Sequence, residues 1–158
     1  MRQNDERYSE ILSQIRTKED ADLLLGEIDN LLVSLYRVKG SMFEEVLREK
    51  VRVGVAQVIT GAVPKSIPGK EEFLRGLKEC LGELKPLKLT LAFEPTSQTV
   101  EKIFSWVCQN LDENIVLEID TDQSILAGAI VTFEGAYEDL SLRSVFEEKF
   151  GGERGEAS

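Results

Sequence analysis

The apolar residues of this chain keep helical spacing through its first part and then begin to alternate, and that change splits it into a helical part and a part that must contain strands. Ala21, Leu24, Ile28, Leu31, Leu35, Val38 and Met42 recur at alternating steps of three and four, which places them on one face of a helix. Leu87, Leu89, Leu91 and Phe93 instead alternate with Lys88, Thr90 and Ala92, the two-residue period of a strand with one buried face. Between the two lies VPKSIPGK, residues 63 to 70, where Pro64, Pro68 and Gly69 interrupt both patterns. The junction is expected between there and Pro86.

Within the helical part, Thr17 with Asp20 makes a capping-box start for the first long helix. Its apolar seam is heptad-like over about three repeats, which fits one helix of a small bundle or a coiled-coil seam facing a partner. Gly40, Ser41 and Glu44 give a stop and then a new capped start, so a helical hairpin competes with one long helix. Val51, Val53 and Val55 alternate like a strand, but Phe43, Leu47, Val51, Val55 and Val58 share one helical face behind that start, and helix is the expectation. Residues 70 to 84, with Phe73, Leu74, Leu77, Leu81 and Leu84, predict a further amphipathic helix ending before Pro86.

After the first strand, Thr96 or Ser97 can cap a helix whose Val100, Ile103, Phe104, Val107 and Leu111 stack on one side. NIVLEID then alternates again, with Ile115, Leu117 and Ile119 on one face. Strand, helix and strand this close together predict a right-handed βαβ unit. AGAIVTF and AYEDL follow, joined at Glu134-Gly135 as a tight hairpin, and Leu142, Val145, Phe146 and Phe150 belong to a last helix. The predicted class is therefore α+β: helices over residues 1 to 85, a four-stranded mixed sheet of βαβ-β-hairpin-α order over 86 to 150, and a polar tail over 151 to 158.

Composition removes whole classes of function. The chain contains no histidine, which excludes Ser-His-Asp and Cys-His catalysis and histidine-ligated zinc. Cys80 and Cys108 are far apart and form no C-x-x-C motif, so neither a metal nor a redox pair is indicated. Neither an apolar leader in MRQNDERYSE nor a run of about 18 apolar residues is present, so neither a secretion signal nor direct membrane insertion is expected. Residues 1 to 85 carry 14 Lys+Arg against 15 Asp+Glu, and residues 86 to 158 carry 5 against 14, leaving a charge of -9 on the second part. Such a field repels nucleic acid and favours basic protein partners.

Asp120 and Asp122 form D-x-D after a strand, where phosphotransfer enzymes hold magnesium. Neither G-x-x-x-x-G-K-[ST] nor G-x-G-x-x-G accompanies them, and the competing reading has Asp122 capping a turn through backbone N–H groups. Further on, Gly128 enters a strand, Ser141 can cap the last helix, and Asp139 lies beside that helix's positive end. Arg143 is the only basic residue between Lys102 and Lys149. Asp122 and Asp139 are the carboxylates it can pair with, tying helix to sheet. No serine here has a general base, so no catalytic residue, cofactor or metal is assigned.

The positions Asp122, Ser124 and Gly128, then Asp139, Ser141 and Arg143, spell D-x-S-x-x-x-G and D-x-S-x-R. This pattern resembles the end of the delta subunit of F-type ATP synthases, the oligomycin-sensitivity-conferring protein family, over roughly residues 86 to 150. Leu140 stands where that family commonly has glycine. The resemblance implies a non-catalytic stator subunit on the cytoplasmic side of the cell membrane, peripheral to a membrane complex. It also implies b-type stalk helices and the α subunits of the catalytic head as partners. For residues 1 to 85 a reduced bundle and stalk-like helices stay open. Alternative readings are an E-type stalk subunit of a V- or A-type ATPase, suited by the heptad-like seam, an unrelated coiled-coil adaptor, and a small acidic magnesium enzyme using Asp120 and Asp122. If Arg143 makes a charge-assisted hydrogen bond to Asp122 or Asp139, Arg143→Ala should lower stability by roughly 1 to 3 kcal/mol in a urea melt, and an unchanged melt would remove that role.

Overall fold

The computed structural model describes residues 6–37, 42–122, 129–133 and 136–137. The chain divides into two compact units, Met1–Leu84 and Lys85–Ser158. The class is α+β, mostly helical, with one small mixed sheet.

The first unit holds α1 (Ser9–Leu12), α2 (Lys18–Leu35), α3 (Met42–Lys50), α4 (Val53–Ala62) and α5 (Ile67–Gly82). Helix α2 starts where the sequence says it should: the Thr17 hydroxyl accepts from Asp20 N at 3.1 Å and the Asp20 carboxylate accepts from Thr17 N at 3.2 Å. Its stripe Ala21, Leu24, Ile28, Leu31 and Leu35 is buried, and α2 packs on both α3 and α5. The heptad-like seam is thus an internal core of the unit, and of its expected members Val38 lies outside the described residues. Ser34 joins the buried face by donating its hydroxyl to the Leu31 carbonyl at 2.6 Å. Burying one such leucine stabilises by about 1.5–3 kcal/mol, whereas an exposed ion pair such as Lys78 with Asp29, at 2.7 Å, contributes about 1 kcal/mol or less. Apolar contact therefore decides how α2 and α5 pair.

Two expectations in this unit are corrected. Residues 43 to 58 do not form one helix, because the chain leaves helical geometry at Arg52, with φ −56° and ψ 138°, and restarts as α4. The restart changes the phase, so Ile59 rather than Val58 is the fully buried residue beyond Val55. Pro68 and Gly69 do not interrupt a helix but open one. The Ser66 hydroxyl accepts from Gly69 N at 3.2 Å, and Pro68 occupies the first turn, where its missing N–H has no intrahelical use. The capping residue expected at Ser41, and Gly40 before it, lie outside the described residues.

The N-terminal segment is held by an aromatic contact that periodicity did not predict. Tyr8 is buried with its ring centroid 5.1 Å from that of Phe73 on α5, the two planes tilted by 55°. Gly76 makes room for it, since a Cβ there would run into the Tyr8 hydroxyl and lie 3.1 Å from Cζ.

The second unit contains β1 (Lys85–Leu91), α6 (Ser97–Asn110), β2 (Ile115–Thr121), β3 (Ala129–Phe133) and a two-residue strand β4 (Ala136–Tyr137). The strand order is β2-β1-β3-β4. β1 and β2 run parallel with Leu87 opposite Leu117, as the strand–helix–strand pattern predicts, while β3 is antiparallel to β1 with Val131 opposite Leu89. Leu87, Leu89, Ile115, Leu117 and Val131 form one apolar core with Ile103 and Val107 of α6, whose N-cap is Thr96. The turn expected at Glu134-Gly135 and the last helix lie outside the described residues.

Pro86 is tolerated inside this sheet for a geometric reason. Lys85 N donates to Asn114 O at 2.8 Å, so the next residue faces the opposite edge, and pairing with β3 begins only at Lys88. The missing donor thus falls where no partner strand is needed. Phe93 and Leu111, expected in the core, are exposed: β1 ends at Leu91, opposite the first residue of β3, and Leu111 is the cap beyond α6.

The contact at Gly76 yields a test. Gly→Ala inside a helix normally stabilises by about 0.5–1 kcal/mol, while overpacking a core typically costs about 1–3 kcal/mol. Gly76→Ala should therefore destabilise the chain by about 1–2 kcal/mol in a urea melt, and adding Tyr8→Phe should recover part of the loss. A Gly76→Ala variant more stable than the parent would show that Tyr8 does not occupy this seat.

Candidate functional site

Parallel strands end side by side, so β1 and β2 deliver their carboxyl ends to one edge of the sheet. There the Asp122 N–H donates to the Leu91 carbonyl at 2.8 Å, extending the ladder one residue beyond β2. Ala129 pairs with the same Leu91 from the other flank. The connection from Asp122 to Ala129 therefore leads from one side of β1 to the other, and it contains the whole D-x-S-x-x-x-G motif, the first of the two. Of the six pattern positions, Asp122 is placed at this edge with its side chain exposed. Ser124, Gly128, Asp139, Ser141 and Arg143 lie outside the described residues.

The same edge receives the start of α6. Thr96 accepts from Thr99 N at 3.2 Å and its hydroxyl shares a hydrogen bond with the Thr99 hydroxyl at 2.9 Å. The first turn of α6 is thus capped from within the chain. At the opposite end, Asp112 accepts from Asn114 N at 2.8 Å, an Asx turn that aims the chain into β2.

Asp120, the other half of the D-x-D pair, lies across from Thr90, and its carboxylate accepts from Lys88 Nζ at 3.1 Å. Strand alternation puts Asp120 and Asp122 on the face of β2 away from α6. Asp120 is already neutralised by an ammonium, which competes directly with a divalent cation for the same oxygens. Among the described residues no group of three or more Asp, Glu, Cys or His side chains is gathered to hold a metal. Burial, then the charges of Glu113 and Asp112, push the Cys108 thiol up, so it stays protonated at neutral pH and is a poor nucleophile.

In the first unit, an open groove of about 730 Å³ is lined by Glu6, Arg7 and Glu10 from the N-terminal segment and by Gly54, Val58 and Gly61 of α4. No acid–base pair converges there. A surface relay joins α2 to α5: the Tyr36 hydroxyl, then Arg75, hold the Glu71 carboxyl below its usual range, with Arg75 Nε at 2.9 Å. Among the described residues no helix is long and apolar enough to cross a membrane.

One polar cluster escaped the sequence. Arg52 N and Nε both donate to Glu27 Oε1, at 3.1 and 3.2 Å, its Nη2 donates to Glu27 Oε2 at 3.3 Å, and Nη2 also donates to the Asp20 carbonyl at 3.1 Å. The Glu27 side chain is only 12% exposed. A glutamate beside the buried stripe of α2 was the available signal, but nothing local names a partner 25 residues away.

No protein-family model and no curated protein matches this chain.

The Lys88–Asp120 pair has a pH signature. Lys88 is held above its ordinary range by its hydrogen bond to Asp120, by that carboxylate's charge and further by Glu118. A raised lysine contributes stability that is fully present below its unfolded value near about 10.4 and lost as pH climbs through the folded one. The stability difference between the parent and Asp120→Asn should be small at pH 7, because both groups are solvated, and should disappear as pH climbs through the raised lysine range. A difference that stays constant across that range would mean Asp120 acts through some other group.

Proposed function

We propose that this chain is a delta-like peripheral-stalk subunit of a rotary F-type ATP synthase, non-catalytic itself, which joins the catalytic head to b-type stalk helices and resists rotor torque. The observation that carries the reading is the D-x-S-x-x-x-G and D-x-S-x-R pattern, whose first residue sits where β2 hands over to β3 beside the end of β1. The order strand, helix, parallel strand, antiparallel strand supports it, as that is the order the resemblance implies for residues 86 to 150. The finer proposal is that β4 completes a four-stranded sheet and a last helix over Ser141 to Phe150 packs on it.

The charge of -9 on residues 86 to 158 favours a basic helix as the partner. The E-type alternative rested on the heptad-like seam, and burial of Leu24, Ile28 and Leu31 takes away the observation that favoured it. The magnesium enzyme loses its support to the Lys88–Asp120 pair. A location on the cytoplasmic side of the membrane, through partners rather than by insertion, belongs to the same proposal.

Charge steering is screened beyond about 10 Å at 0.1 M salt, so it should set the rate of association more than the rate of release. The full chain should bind an immobilised helix from the C-terminus of a b-type stalk subunit, with an on-rate that falls as salt rises and an off-rate that changes little. Failure of the folded chain to bind any such helix at micromolar concentration would sink the stator reading.

A further inference from the structure

We draw no further inference here: the strongest candidate, the open groove lined by the N-terminal segment and by Gly54, Val58 and Gly61 of the uncharged helix α4, carries nothing because no feature of the structure shows what covers it.

Discussion

The shape of the helical unit turns on the carboxylate of Glu27. By accepting both the main-chain N–H and the guanidinium of Arg52, it meets the chain where α3 gives way to α4 and ties that corner to α2. Asp20 serves the same corner from the other side, because its carboxylate closes the capping box at Thr17 while its carbonyl takes Arg52 Nη2. One turn of α2 thus fixes its own beginning and the bend between its neighbours. The bridge is partly buried, with Arg52 34% exposed, so solvent screens it less than the surface pairs around it.

The second unit depends on β1, the strand with a partner on each side. Its alternation of leucines with Lys88 and Thr90 commits one face to α6 and leaves the other polar. Pro86 shows how closely the ladder matches the chain, since the residue that cannot donate sits on the edge that β3 does not reach. The parallel pairing with β2 then brings Leu91 and Asp122 to the same end, and that is how the first position of the sequence pattern comes to lie at a crossing between strands.

Much of this was legible in the chain. The Thr17–Asp20 box, the Thr96 cap, the alternation in β1 and β2 and the helical faces of α2, α5 and α6 all follow from local spacing and local hydrogen-bonding chemistry. The misses have a common cause. Phe93 and Leu111 continue a period beyond the point where pairing or helix geometry stops, and a period carries no end mark of its own. Pro68 looked like an interruption because proline opens helices and breaks them with the same residue, and Ser66 two positions earlier decides which. The candidate site was less legible than the fold: the sequence supplied the pattern at Asp122, and strand order alone put it beside the end of β1.

What the sequence by itself determined is α2, α5, β1, α6 and β2 and the face each one buries, because helix and strand periods, caps and proline placement act within a few residues. Tertiary structure decided the corner at Arg52, the seating of Tyr8 against Gly76 and the pairing of Lys88 with Asp120. Each depends on groups remote in sequence. At Arg52 the chain leaves helical geometry, and a carboxylate from another helix accepts the N–H that a continuous helix would turn to the Arg48 carbonyl. That carboxylate stands 25 residues away in the chain, beyond the reach of any local sequence signal.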